Sequence, residues 1–348
     1  MSRRVALGLF SGGLDSILAC RLIADQGVQV KALKFVTPFF DHDLLGQQEP
    51  YRQKMRHRFG LDVELVDLSD GYIELLRHPE HGFGKNFNPC IDCKILMLTR
   101  AKELMDRYGA SFLITGEVLG QRPMSQRRDT LNVIERDAVC RDILLRPLSA
   151  QLMHPTLPER EGWVDREKLF AFAGRGRKPQ ISLARRMGIA DFPAPAGGCV
   201  LTDPNLAGRI ERFYGGLFSI GRSEIEVNDI KLLLVGRHFR LPGGHWLVMG
   251  RNEQENNRLS ALQDADDWLL YMPERPGPTA LLRRAEKTVG QEVNQEEIIQ
   301  DVAGLVVRYG RKIDGKYPPG HVLLLKQERR QMLEATPLDD IRFREWIV

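Results

Sequence analysis

The sequence predicts an α/β domain with a parallel sheet over residues 1–208, followed by a smaller α+β domain over residues 209–348. Three observations carry this. Apolar runs of strand length alternate with segments of helical spacing from Val5 to about Asp203. A glycine-containing hexapeptide, Ser11–Ser16 ("SGGLDS"), joins the first such run to the first helical segment. After "FPAPAGGCVLTDPN" the texture changes to short strand candidates separated by glycine and proline turns. Strands alternating with helices imply a parallel sheet whose functional loops lie beyond the strands' carboxyl ends. By that rule Ser11–Ser16 and Thr115–Gln121 share one rim.

Taken in order, "VALGLF" is the first strand and "DSILACRLIADQG" the helix after it, ending on Gly27. "VQVKALKFV" and "DVELVDLS" read as the second and third strands. Asn88-Pro89 opens a helix, because Asn is a good N-cap and Pro suits the first turn. That helix carries Ile95, Leu98, Ala101, Leu104, Met105 and Tyr108 on one face, and Gly109 ends it. "SFLITGE" follows as a buried strand. In the second domain "IKLLLVG", "HWLVMG" and "HVLLL" are the strand candidates.

The 348 residues have room for two or three domains, and 43% hydrophobic with 28% charged residues is ordinary for a globular chain. A formal charge of +4 permits a polyanionic partner without demanding one. No 18-residue apolar run occurs, so no membrane partner is expected, and Val5–Phe10 is too short for a signal peptide's apolar region. Five cysteines, an odd number in a long chain, fit reduced thiols and a cytoplasmic location.

"SGGLDS" sits where a phosphate cradle belongs. Gly12 and Gly13 let the backbone turn so that successive N–H groups face an anion, and Ser11 and Ser16 add hydroxyl donors. The following helix N-terminus adds partial positive charge. Asp15 would repel phosphate unless it holds Mg²⁺ or caps the helix. "NPCIDC" places Cys90 and Cys93 in one helical turn, where the helix dipole is expected to lower their thiol pKa values. Cys199, in a glycine-flanked turn, is a third and remote thiol. Three cysteines suit either an iron–sulfur cluster with one iron left open or a persulfide relay. Cys20 and Cys140 lie in apolar stretches and read as core thiols.

Arg175, Arg177, Lys178, Arg185 and Arg186 form a stretch free of acidic residues, which Arg122, Arg127 and Arg128 extend. Such a run is either a solvated face or a surface that neutralises RNA phosphates. The "DHD" at 41–43 reads as a charged loop in preference to a metal site.

These motifs together resemble a known family. "SGGLDS" after an N-terminal strand matches the SGGxDS loop of the PP-loop ATP pyrophosphatases, which have an adenine nucleotide alpha-hydrolase-like, Rossmann-type fold. No Gly-Lys-Thr/Ser follows, so this is not a Walker loop. The resemblance implies adenylation with release of pyrophosphate, with adenine against Lys34, Phe35, Val36 and Thr37. "TGEVLGQRPMSQ" resembles the TGxxLGQxxSQ segment of the tRNA 4-thiouridine synthetases, a sulfurtransferase branch, and brings Gly116 and Gln121 to the nucleotide. "GRKPQISLARRMGI" and "PAPAGGCVLTD" look like the same branch, so the resemblance spans residues 4 to 203. By this reading neither that branch's THUMP region, before Val5, nor a C-terminal rhodanese-like segment is expected. Instead "MGRNEQENNRLSAL", "DDWLLYMP" and "GKYPPGHV" are similar to the RNA-binding domain of the NFACT proteins over residues 245 to 322, with that family's Gly-Ser-His element replaced around "PGPTALLR".

The resemblance implies an ATP-dependent tRNA sulfurtransferase that adenylates a uracil oxygen and replaces it with sulfur, using ATP and Mg²⁺. Ser11, Gly12, Gly13 and Ser16 would hold phosphates and Asp15 would place the metal. Cys90, Cys93 and Cys199 would deliver sulfur, from a [4Fe-4S] cluster or through a Cys93–Cys199 persulfide and disulfide cycle, with Asp92 handling protons. The implied partners are tRNA, a sulfur donor (sulfide or a persulfide-carrying protein) and a second copy in a homodimer. Two other classes stand beside this one: a PP-loop amide ligase acting on a small molecule, and a non-catalytic RNA-binding protein that senses ATP.

Overall fold

The computed structural model describes residues 4–194, 199–290, 294–327 and 329–348. The chain forms two compact units, Met1–Asp203 and Pro204–Val348.

In the first unit the elements run β1 (Val5–Leu9), α1 (Leu14–Ala24), β2 (Gln29–Val36), α2 (Gln48–Phe59), β3 (Asp62–Asp67), α3 (Ser69–Arg77), α4 (Cys90–Glu103), α5 (Met105–Tyr108), β4 (Ala110–Thr115), α6 (Arg128–Asp137), β5 (Leu144–Leu145), α7 (Leu157–Arg160) and α8 (Lys178–Arg186). The sheet order is β3-β2-β1-β4-β5 and every pairing is parallel. β1 is central, with Val5–Leu9 in register against Gln29–Leu33 of β2 and Ala6–Leu9 against Phe112–Thr115 of β4. The order reverses at β1, since β2 lies on one side of it and β4 on the other. That topological switch point is where an open α/β sheet leaves a crevice beyond its carboxyl ends. Apolar residues fill both faces: Leu14, Ile17 and Leu18 of α1 on one side, Leu98 and Ala101 of α4 on the other.

The helix expected from Asn88-Pro89 begins at Cys90, with Pro89 at its cap and no side-chain cap bond. The Asn88 side chain is spent elsewhere, accepting a hydrogen bond from the Cys90 thiol at 3.1 Å. Near its end the helix breaks at Leu104 into α5, and Gly109 closes it with φ of 58°. Cys20 and Cys140 are core thiols, both 1% exposed.

The second unit contains α9 (Pro204–Tyr214), α10 (Val227–Leu233), β6 (Arg237–Arg240), β7 (Trp246–Met249), α11 (Glu253–Ala261), β8 (Trp268–Tyr271), β9 (Ala280–Leu282), α12 (Ala285–Thr288), α13 (Gln295–Arg308), β10 (Gly320–Lys326), β11 (Arg329–Ala335) and α14 (Asp340–Phe343). Its antiparallel sheet has the order β11-β10-β8-β9-β7-β6 among the described residues. α13 buries Ile298, Val302, Leu305 and Val306 in the core that also holds Trp268, Leu270, Leu282 and Leu324 of the sheet.

"IKLLLVG" is not the strand its apolar run suggested; Ile230–Leu233 belong to α10. The deciding residue is Asp229, which accepts from the Glu226 N–H at 2.9 Å and so starts a helix. Asp229 is fully buried and accepts from Arg283 Nε at 2.7 Å and from Arg284 Nη2 at 2.9 Å. Arg283, itself buried, also pairs with Asp267 at 3.0 Å and with Asp264. One guanidinium thus ties α10 to the end of β9. Truncating it leaves Asp267 buried without its counter-charge and Asp229 with Arg284 alone, a change that costs about 3–5 kcal/mol. Arg283→Ala is therefore expected to unfold the second unit at markedly lower denaturant, read by the Trp246 and Trp268 fluorescence midpoint.

A second charge cluster fastens α2 to the edge strand β3. Asp62 accepts from Arg52 Nε at 2.6 Å and from Lys31 Nζ at 3.0 Å. Burial raises the Asp62 pKa, but Arg52 and Lys31 outweigh it and hold the carboxyl at about 2. A depressed carboxyl stabilises the fold above its unfolded value and loses that contribution as pH falls toward 2. Asp62→Asn should therefore be less stable at neutral pH, and should lose less stability than wild type between pH 4 and pH 2 in an acid titration followed by circular dichroism.

Candidate functional site

The loop between β1 and α1 turns at Gly12, whose φ of 80° is open to glycine at no steric cost. The Gly13 N–H donates to Ser11 Oγ at 3.2 Å, and Ser16 Oγ donates to the Gly13 carbonyl at 2.8 Å. α1 then starts without a side-chain cap, so the N–H groups of its first turn have neither intrahelical nor capping acceptors, an arrangement that suits an anion.

Three other elements close on this loop. Lys34, 5% exposed near the end of β2, donates to the Ser11 carbonyl at 3.2 Å and to Asp41 at 2.6 Å. Gly116, just past β4, lies so near that a Cβ there would sit 2.5 Å from the carbonyl carbon and oxygen of Asp15 and 2.5 Å from the Ser16 nitrogen. Gln121 donates to Asp15 Oδ2 at 2.8 Å, and the fully buried Gln180 of α8 donates to Gln121 at 2.9 Å. Asp15 Oδ1 is buried with no hydrogen-bond partner.

The loop forms the common wall of two cavities. One, of about 530 Å³, is lined by Ser11, Asp15, Ser16, Lys34 and Gly116, and also by Cys90, Cys93 and Cys199. The three thiols, from α4 and from a turn more than a hundred residues later, thus face the same space as the anion loop. The other cavity, of about 740 Å³, is basic: Lys34, Lys54, Arg58, Arg122, Arg175 and Arg177 line it together with Gly12, Gly13 and Gln121. Ser11, Asp15, Lys34, Asp41 and Arg122 belong to both.

The helix dipole does not set the state of the thiols. Burial pushes Cys93 up to about 12, against the pull of Lys94 and of a hydrogen bond from Tyr72. Burial also raises Cys90 and Cys199, with Arg122 drawing both down. Desolvation of a thiolate exceeds the dipole's effect, which is confined to one turn. Among the described residues no group of three His, Cys, Asp or Glu side chains is arranged around a single metal ion. Three soft donors along one cavity wall instead match the ligand count of a cluster with an open iron, or of a sulfur relay. The orphaned, buried Asp15 Oδ1 beside the anion loop is a hard donor suited to Mg²⁺.

Other sequence expectations need correction. Asp92 does not line the thiol cavity: it is buried and accepts from the His81 N–H at 3.1 Å and pairs with His81 Nδ1 at 2.8 Å. The hydrogen bond that His81 donates to Asp92 raises the His81 pKa, and His81 Nε2 reaches Asp137 at 3.1 Å. Asp92 therefore holds the segment before α4 in place. Val36 and Thr37 are fully buried and line neither cavity, while Lys34 and Phe35 do reach the thiol cavity. Of the basic residues, Arg122, Arg175 and Arg177 line the basic cavity and the others do not. Arg127 pairs with Asp129, Arg128 donates to the Leu152 carbonyl, and Lys178, Arg185 and Arg186 stand on the exposed face of α8 outside both cavities.

Two further side chains complete it: Tyr72, which the sequence-based site lacks, and Glu117 of the "TGEVLGQ" segment. Tyr72, 1% exposed on α3, backs Cys93. Glu117, 2% exposed, lines the thiol cavity between Lys94 at 3.6 Å and Arg146 at 3.0 Å. Burial raises its pKa, yet Lys94 and Arg146 overcome that and hold the carboxyl below its ordinary value. The Glu in "TGEVLGQ" was visible in the sequence, but its partner Arg146 lies 29 residues away and carries no motif.

Comparisons with known proteins follow the same division of the chain. Residues 2–151 match the family model of the thiamine biosynthesis protein (ThiI), and residues 236–347 match that of the NFACT protein RNA binding domain. A tRNA-specific 2-thiouridylase MnmA from Nitratidesulfovibrio vulgaris is 34% identical over 130 residues, covering 34% of this chain and 35% of the relative. A tRNA sulfurtransferase from Desulfurococcus amylolyticus is 26% identical over 212 residues, covering 59% of this chain and 37% of the relative. The chain thus spans about a third of the length of these two relatives. Among solved structures, a 4-thiouridine synthetase–RNA complex with bound ATP aligns at 19% identity with a TM-score of 0.35, covering 61% of this chain and 51% of that one.

The close approach at Gly116 gives a direct check on the anion loop. A methyl group there must displace the Asp15–Ser16 backbone, an overpacking of about 1–3 kcal/mol. Gly116→Ala is expected to weaken pyrophosphate binding about tenfold in calorimetry, whereas unchanged affinity would show that the loop does not hold phosphate.

Proposed function

We propose that the chain is an ATP-dependent tRNA sulfurtransferase that makes a thiouridine. The observation that carries this reading is that the SGGLDS loop and Cys90, Cys93 and Cys199 line one cavity. Amide formation on a small molecule has no use for three thiols beside the nucleotide, and an RNA-binding sensor has no use for them either. The match of residues 236–347 to an RNA-binding domain, and the tRNA-acting relatives of the first unit, support tRNA as the substrate.

In the proposed reaction a uracil carbonyl oxygen attacks the α-phosphorus of ATP, forming a C–O–P bond as pyrophosphate leaves. Hydrosulfide sulfur then attacks the same carbon, AMP departs with the oxygen, and a proton is released to give the thiocarbonyl. Backbone N–H groups at the start of α1 and the Ser11 and Ser16 hydroxyls hold the phosphates, and Lys34 neutralises charge on them. Gln121 orients Asp15, whose free oxygen would hold Mg²⁺. A [4Fe-4S] cluster held by Cys90, Cys93 and Cys199 supplies, when bound, an open position for inorganic sulfur. The partly buried cavity keeps water from the adenylated base.

The test is mass spectrometry of nucleosides from a thiouridine-free tRNA incubated with ATP, Mg²⁺, sulfide and anaerobically purified protein. Wild type is expected to produce thiouridine. Cys199→Ala should lose it by about a hundredfold or more while retaining RNA-dependent pyrophosphate release, since adenylation precedes the sulfur step. Absence of thiouridine with wild-type protein that still releases pyrophosphate would overturn the reading.

A further inference from the structure

A third cavity, of about 460 Å³, lies in the first unit outside the two that flank the anion loop. Its lining includes Arg128, Arg141, Arg146, Arg160 and His154. Its lining runs along β5, from Arg141 and Asp142 just before the strand to Arg146 just after it.

Arg146 is 2% exposed. Its Nε donates to Glu117 at 3.0 Å and its Nη1 to Glu135, but its Nη2 is buried with no partner. A buried guanidinium N–H without an acceptor is costly, and an acceptor supplied by a ligand removes that cost. The acidic residues of the lining are already engaged: Glu135 by Arg146, Asp142 by Arg160 at 2.8 Å, and Glu159 by Arg166 and by Thr156 at 2.8 Å. Arg128 and Arg141, both exposed, donate only to the main-chain carbonyls of Leu152 and Asn132, at 3.0 and 3.4 Å, and keep their charge for another ligand. A floor with an unmet donor and a rim of uncompensated guanidinium groups is a receptor for a phosphate oxyanion.

We propose that this cavity seats a backbone phosphate of the RNA substrate, a role that rests on the tRNA reading above. A phosphodiester fits better than a small free anion, because Arg128 and Arg141 stand in solvent where a polyanion lying along the rim would meet them. Arg146 joins the two places: it lines this cavity and holds Glu117 in the thiol cavity.

Binding of an unmodified tRNA transcript to the full chain, followed by fluorescence anisotropy from 50 to 300 mM salt, tests the site. Arg128→Ala/Arg141→Ala should weaken binding about tenfold and make the log–log salt slope shallower by about one. Arg100→Ala/Arg107→Ala, which removes the same charge from α4 and α5, should change neither. Arg141→Glu, a single change at an exposed position, should weaken binding further than Arg141→Ala. If both Arg128→Ala/Arg141→Ala and Arg141→Glu bind tRNA as the Arg100/Arg107 variant does, the site is overturned. Inorganic phosphate binding in calorimetry that is lost in Arg128→Ala/Arg141→Ala, with RNA affinity intact, would reassign the cavity to a free anion and overturn the RNA role. Thiouridine assays separate the two readings. Wild-type activity with an unchanged KM for tRNA in the double variant sinks only this site, whereas RNA binding that depends on Arg128 and Arg141 without any thiouridine sinks only the sulfurtransferase reading.

Discussion

The site depends on one backbone contact. Past the end of β4 the chain runs so close to the turn after β1 that Gly116 has no room for a side chain beside Asp15 and Ser16. That approach is possible because β1 and β4 are adjacent parallel strands in register, so both loops leave the sheet at the same height. Everything else at the rim is set by it. Glu117 is carried into the cavity by the residue that makes the contact. Gln121, a few residues on, reaches back to Asp15 at 2.8 Å, and Gln180 holds Gln121 in turn. A glycine at this point therefore converts strand pairing into a two-walled crevice.

The charges of that crevice are arranged by competition between burial and neighbours. Lys34 is buried with its ammonium between the Ser11 carbonyl and Asp41, and Asp41 takes a left-handed backbone, φ 58°, where it meets that ammonium. A phosphate on the loop would compete with Asp41 for the same cation. On the opposite side Lys94, Glu117, Arg146 and Glu135 alternate in sign, so each buried charge has an opposite neighbour. The thiols are the group on which burial wins: Cys93 sits at about 12 although Lys94 is the next residue. Metal or sulfur chemistry there has to displace protons from the thiols.

The sequence was informative where chemistry and periodicity coincide. β1, α1, β2, β3 and β4 could be read because each is a continuous apolar or amphipathic run bounded by Gly, Asp or Ser, and the SGGLDS turn needs only its own residues. β5 could not be read, since a two-residue strand, Leu144–Leu145, has no period. α10 was taken for a strand because "IKLLLVG" is apolar throughout; the helix follows from Asp229, whose role rests on Arg283, 54 residues away. The three cysteines were recognisable as a set, but the direction of their pKa shifts was not, because spacing shows the helix turn and not the burial. Asp92 misled for a similar reason: its place between two cysteines suggested chemistry, while its partner His81 is visible only in three dimensions.

The division of the rim into cavities follows from the same geometry. On the sulfurtransferase proposal, a loop that is the shared wall of a thiol-lined space and a cationic one would keep two tasks apart. The thiol-lined space would serve sulfur transfer to an activated carbon, a step that exclusion of water favours. A leaving polyphosphate would instead meet the cationic space, lined by Lys54, Arg58, Arg122, Arg175 and Arg177. Placing Ser11, Asp15 and Lys34 on the boundary lets one set of side chains face both. The missing side chain at Gly116 contributes to this by letting the wall of the thiol cavity close directly on Asp15, which lines both spaces.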